Sequence, residues 1–179
     1  MSPEQARRVL DASEQLCSAT TIAAALERLA QDITTKLADQ HPLVLAVMGG
    51  AVVFAGQLLP KLPFPLEFDF LHVTRYNDST RGGQIEWRVS PDQKIPGRTV
   101  LVVDDVLDEG ITLAAIKARL LELGASACYT AVMVEKDLGR GKPISADFVG
   151  LTLPNRYLFG FGMDVEGAWR NLPTIHAMK

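Results

Sequence analysis

The chain has 179 residues, 47% hydrophobic and 22% charged, with a formal net charge of −3 at pH 7. That length and balance predict one globular domain, 1–179, with a real core, and they argue against disorder. The mild acidity argues against a nucleic-acid partner. A small anionic ligand would need local positive potential from a helix N-terminus, a few basic side chains or a metal ion.

Ser2-Pro3-Glu4 reads as a helix start, with Ser2 as N-cap and Pro3 in the first helical position. This N-terminal segment has no apolar signal core, and no apolar run is long enough to span a membrane. A cytoplasmic protein without a membrane partner is expected. A second helix is predicted from Thr20 or Thr21 to Ala38, because Ile22, Leu26, Leu29, Ile33 and Leu37 recur at spacings of three and four. His41-Pro42 ends it. Leu43–Val47 reads as a buried strand, Met48-Gly49-Gly50 as a tight turn, and Ala51–Leu59 as a helix stopped by Pro60 and Pro63.

Leu66–Thr74 alternates as a strand does, with the even positions Leu66 to Phe70 on one face and Glu67 and Asp69 on the other. Arg75–Gln84 is polar, rich in glycine and without periodicity, which predicts a loop. Ile85–Val89 reads as a short strand and Pro91–Arg98 as a turn-rich connection. Thr99–Val103 is the clearest buried strand. An acidic loop follows it, then a helix over Thr112–Leu123 with Gly124 as its stop. Further strands are predicted at Ala127–Val134, Phe148–Leu151 and Leu158–Gly160. Cys17 and Cys128 are far apart and in no metal-ligand spacing, so both are read as buried, reduced thiols.

Apolar strands alternate with helices through the middle of the chain. That pattern predicts an α/β fold with a parallel sheet and right-handed crossovers. Ligands in such sheets bind beyond the C-terminal ends of the strands. The regions to search are therefore Met48–Gly50, Asp104–Thr112, Glu135–Lys142 and the tail after Leu158.

The segment Val100–Leu113, VLVVDDVLDEGITL, runs strand, acidic loop, helix start. The first N–H groups of a helix lack internal partners and carry partial positive charge. Gly110 allows close backbone approach and Thr112 adds a hydroxyl, so this turn can cradle a phosphate. Asp104, Asp105 and Asp108, with Glu109 nearby, would repel that phosphate if they acted alone. They make sense if they hold sugar hydroxyls, or if Mg²⁺ lies between them and further phosphates. The plainer reading is a helix N-terminus decorated with acids.

This segment resembles the phosphoribosyl-pyrophosphate (PRPP) signature of type I phosphoribosyltransferases. From about Leu43 to Met178 the chain is similar to the hypoxanthine-guanine phosphoribosyltransferase family. The resemblance implies a central, mostly parallel sheet flanked by helices, with a small hood formed by terminal segments. It also implies Mg²⁺-dependent transfer of phosphoribosyl from PRPP to a 6-oxopurine in purine salvage, giving IMP or GMP and pyrophosphate, in a homodimer or homotetramer.

Residue by residue, the resemblance assigns Asp104 and Asp105 to the ribose hydroxyls and Mg²⁺. Asp108 becomes the general base or acid near purine N7. Glu109, Gly110, Ile111 and Thr112 line the 5′-phosphate site, and Glu109 stands where the family often has a small hydroxyl residue. Gly49 and Gly50 form the pyrophosphate loop, with a sometimes-cis peptide expected between Met48 and Gly49; better-known relatives carry a lysine at Met48. Arg170 reaches pyrophosphate and Asp164 a second Mg²⁺.

Lys136 would donate to the purine 6-oxo group, a choice that disfavours adenine. Tyr157 would stack on the base, and backbone groups of Leu158 and Met163 would read its edge. Arg75 and Tyr76 belong to a lid. In isolation Lys136 reads as a solvated lysine, and Phe159 and Phe161 as core aromatics. Two other readings stay open: a phosphoribosyltransferase for another base, and a regulatory protein of this fold that binds nucleic acid. The acidity of the chain and the intact Asp108 and Lys136 speak against the latter.

Overall fold

The computed structural model describes residues 1–75, 85–90 and 92–179. In chain order the elements are α1 (Pro3–Ala12), β1 (Glu14–Cys17), α2 (Ala19–Leu37), β2 (Leu43–Met48), α3 (Ala51–Leu58), β3 (Glu67–Arg75), β4 (Ile85–Val89) and β5 (Thr99–Leu107). They continue with α4 (Ile111–Glu122), β6 (Ala127–Asp137), β7 (Phe148–Pro154), β8 (Leu158–Phe159) and β9 (Ile175–Ala177).

Six strands form the main sheet in the order β4-β3-β2-β5-β6-β7. Every pairing from β3 to β7 is parallel, and only the edge strand β4 is antiparallel. Parallel strands must be covered on both faces, and the strand sequences supply both. Val44 and Ala46 of β2, with Leu101 and Val103 of β5, pack on the side of α2 and α3. Leu43, Leu45, Val100 and Val102 pack on the side of α4, against Leu113, Ile116 and Leu120. The predicted stripe of α2 is buried: Ile22, Leu26, Leu29, Ile33 and Leu37 are each at most 1% exposed. Each such side chain contributes roughly 1.5–3 kcal/mol when fully buried.

Local signals hold at the helix ends. Ser2 caps α1 in a full capping box with Gln5. Gly124 adopts a left-handed φ of 91° just past α4. Cys17 and Cys128 are buried and free. No described helix is long and apolar enough to cross a membrane.

The structure corrects the strand lengths. β5 runs four residues past Val103, so Asp104 and Asp105 lie in the strand and the acidic loop shrinks to Asp108–Gly110. The cause is pairing: Val106 and Leu107 continue the ladder with Val134 and Glu135 of a longer β6. β1 and β9 are short strands that local sequence does not predict. They join β8 in a small antiparallel sheet that brings the two terminal segments together as the hood. Its seams are polar: Ser13 Oγ meets His176 Nδ1 at 3.0 Å, and the Trp169 indole donates to Ala6 O at 2.8 Å. The β3 alternation exists, but Phe68 and Phe70 face outward, and Leu71 is the buried residue of that strand.

Candidate active site

The C-terminal ends of β2, β5 and β6 converge, and the helix start after β5 forms the floor. Gly110 caps α4 with φ 82° and offers no side-chain bond, so the first amides of the helix are not claimed by a cap. Asp104, Asp108, Glu109, Gly110, Ile111 and Thr112 line one cleft of about 350 Å³ there. An uncapped helix N-terminus in a cleft is suited to an anion. Glu109 also lines the cleft, and its carboxylate lies 3.6 Å from the Arg140 guanidinium on the β6–β7 loop.

Asp105 points to the opposite side of the strand from Asp104, as successive strand residues must. Its carboxylate lies against Gly50: a Cβ there would sit 1.9 Å from Oδ2. The Met48–Gly49 peptide is cis. Gly162, with φ 101°, presses on the same turn, since a Cβ on it would lie 2.1 Å from Gly50 O. Thus the β2–α3 turn, the end of β5 and the C-terminal tail meet at two glycines.

Burial pushes the Asp104 carboxyl well above the usual carboxylate range, and the neighbouring Asp105 charge adds to it. Burial raises Asp105 too, opposed by the neighbouring Asp104 side chain and by the Arg170 charge. Two carboxylates held this way gain from any positive group or hydroxyl donor that reaches them. Among the described residues, no three His, Cys, Asp or Glu side chains gather as a metal cage.

Lys136, at the end of β6, donates to Asp108 Oδ2 at 2.7 Å. The lysine side chain is 12% exposed and the aspartate 49%. The solvated reading of Lys136 therefore fails: its ammonium is turned into the site. Tyr157 is 54% exposed, with its hydroxyl donating to Asp164 O at 3.3 Å, so its ring is available to a flat partner. Phe159 and Phe161 are core residues, 0% and 1% exposed.

The chain belongs to the phosphoribosyltransferase family. The family model for the phosphoribosyl transferase domain matches residues 12–166. The hypoxanthine-guanine phosphoribosyltransferase of Bacillus subtilis (strain 168) is 31% identical over 170 residues, 94% of each chain. That of Lactococcus lactis subsp. lactis (strain IL1403) is 33% identical over 154 residues, 86% of this chain and 84% of the relative. A crystal structure of a hypoxanthine-guanine phosphoribosyltransferase from Bacillus anthracis superposes with a TM-score of 0.86 at 27% identity. It covers 93% of this chain and 98% of that one.

In this phosphoribosyltransferase four of the expected site residues already have partners within the chain. Arg170 and Asp164 hold each other at 2.5 Å, while Arg170 also donates to Gly162 O and Asp164 accepts from Gly167 N. Each must share or release its partner to reach pyrophosphate or a metal. Met163 exchanges both its amide and its carbonyl with Gly160, which leaves only a second carbonyl lone pair to read a base. Leu158 pairs with Ala177 in the hood. Of the two residues expected in a lid, Arg75 ends β3, whereas Tyr76 lies outside the described residues.

Two further residues, each inside a region expected to bind ligand, shape the site. Gly162 stands in the run Phe159-Gly160-Phe161-Gly162, where glycines alternating with buried aromatics signal backbone packed against backbone. Lys142, in Gly141-Lys142-Pro143, looks like a solvated loop lysine and carries no local signal of its burial.

Proposed function

We propose that this phosphoribosyltransferase joins the 5-phosphoribosyl group of PRPP to N9 of a 6-oxopurine, hypoxanthine or guanine, giving IMP or GMP and pyrophosphate in cytoplasmic purine salvage. The observation that carries the reading is the Lys136–Asp108 pair, 2.7 Å apart, beside the helix-start cleft. A donor and an acceptor side by side match the 6-oxo group and the N7 position of one purine face. A base that bound there would replace the mutual bond with one bond to each residue.

In the reaction the C1–oxygen bond to pyrophosphate breaks, the C1–N9 bond forms, and the base loses one proton. On this reading Asp108 accepts or shares that proton at N7, a role worth roughly 10²–10⁴ in rate. The amides of Gly110 to Thr112 would hold the 5′-phosphate and Asp104 and Asp105 the ribose hydroxyls. Gly49, Gly50 and Arg170 would hold the leaving pyrophosphate, and Tyr157 would cover the base.

The carboxylates suit a magnesium ion that arrives with substrate. Mg²⁺ commonly takes one or two protein carboxylates and completes its shell with phosphate oxygens and water. Asp104, Asp105 and Asp164 are the candidate ligands, and the ion would neutralise charge on the pyrophosphate. On this reading the enzyme works without a nucleic-acid or membrane partner. By likeness to its family the active form is a homodimer or homotetramer.

The test is direct. Purified protein with PRPP and Mg²⁺ is offered hypoxanthine, guanine, xanthine and adenine separately, and nucleotide and pyrophosphate are followed together. Turnover with hypoxanthine or guanine and none with adenine is expected. No turnover with any base would end the reading.

A further inference from the structure

We propose that Lys142 is a positioning residue that sets the distance between Asp108 and Lys136. The proposal rests on the assignment of those two side chains to the base.

An ammonium has three donors and no acceptor. That of Lys142 has three acceptors around it: Lys136 O at 2.6 Å, Glu135 Oε1 at 3.1 Å and Leu107 O at 3.2 Å. Its side chain is only 7% exposed. A buried lysine is kept only when it is paired and fully hydrogen-bonded. Glu135 supplies the counter-charge, so the two carbonyl bonds settle where the ammonium sits.

Those carbonyls have a particular place in the fold. β5 and β6 pair in parallel as far as Leu107 and Glu135. Beyond that point β5 turns into the phosphate loop, while β6 goes on to pair with β7. No ladder bond holds the two chains where they part. Lys142 spans that gap: it bonds the carbonyl one residue before Asp108 and the carbonyl of Lys136 itself.

The loop behind Lys142 also rests on the phosphate loop. A Cβ on Gly110 would meet Ile144 Cγ2 at 3.2 Å and Pro143 Cδ at 3.4 Å. With that loop seated, one buried cation fixes both backbones that carry the base-facing pair. The pair is sensitive to this spacing, because displacements near 1 Å in a reacting constellation cost about a hundredfold in rate.

The experiment is a double-mutant cycle in the intact enzyme, with kcat/KM for hypoxanthine or guanine as the readout at saturating PRPP and Mg²⁺. Lys142→Met alone is expected to lower that value about tenfold or more. Placed in a Lys136→Met background, it is expected to lower it by a clearly smaller factor, about threefold or less, because only Asp108 is then left for it to position. A residue that only supports folding would produce the same loss in both backgrounds.

Should Lys142→Met fail to fold by thermal melting, the same cycle is run with Lys142→Gln, which keeps a donor for the carbonyls and is expected to lose less. Equal losses in both backgrounds, or no loss from Lys142 substitution, overturn the positioning role alone. Undiminished kcat/KM for the base in Lys136→Met overturns the base-site assignment, and the proposal falls with it.

Discussion

Replacing Gly50 with alanine tests how the β2–α3 turn and β5 combine into one site. The backbone at Gly50 is ordinary right-handed helix, φ −65° and ψ −45°, so alanine meets no conformational penalty there. The obstacle is Asp105. A Cβ at position 50 would lie 1.9 Å from Oδ2 and 2.5 Å from Cγ, where ordinary contact begins near 3.4 Å. The carboxylate must therefore retreat by about 1.5 Å or drag the turn with it. Gly162, pressed against Gly50 O, limits how far the turn can move.

Overpacking of this kind costs roughly 1–3 kcal/mol of stability. A shift of that size in a carboxylate proposed to hold the ribose is expected to lower kcat/KM for PRPP about a hundredfold, or about 2.7 kcal/mol of transition-state stabilisation. The assay is steady-state kinetics with PRPP varied at saturating base, alongside a thermal melt. Gly56→Ala is the control. It lies in α3 with nothing within 4 Å of an added Cβ, and it is expected to gain about 0.5–1 kcal/mol with unchanged kinetics. A Gly50→Ala enzyme with normal kcat/KM for PRPP would refute the placing of Asp105 on the ribose.

Gly162→Ala meets both a φ of 101° and a backbone oxygen at 2.1 Å, so it should destabilise the fold by more than Gly50→Ala, about 3 kcal/mol or more in urea titration. Tyr157→Ala removes an exposed ring; the KM for the base should rise about 5- to 150-fold, matching the 1–3 kcal/mol of base stacking, while the melting temperature hardly moves. Burial pushes the Cys128 thiol up to about 11 from an ordinary 9.0, with the Lys117 charge opposing it. The folded state therefore keeps the proton that the unfolded state loses. Its contribution is intact below pH 9 and falls as pH rises towards 11, by about 2–3 kcal/mol in all. Cys128→Ala should flatten that part of the stability–pH curve, and an unchanged slope would contradict the burial argument.

The sheet was legible in the chain because parallel strands buried on both faces read as unbroken apolar runs, as Leu43–Val47 and Thr99–Val103 do. The helix limits were legible from caps that act within three residues, such as Ser2 and Gly124. The terminal hood was not legible in the same way. β1 and β9 are short, and they pair across most of the chain length, so neither carries periodicity enough to declare itself. The acidic strand end reads as loop in the sequence for a related reason: only β6, lying alongside, makes Asp104 to Leu107 extended.

The sequence by itself determined the chemistry available: acids, a helix start with glycine, a lysine at a strand end and an aromatic tail, in an order that resembles one family. Tertiary structure decided how those groups meet. It turned Lys136 onto Asp108, set Asp105 against Gly50, locked Arg170 to Asp164, and buried Lys142 between two strand ends. Hydrophobic periodicity is written residue by residue along the chain. A 2.7 Å contact between residues 28 apart depends on where two strands stop pairing, and no local pattern encodes that.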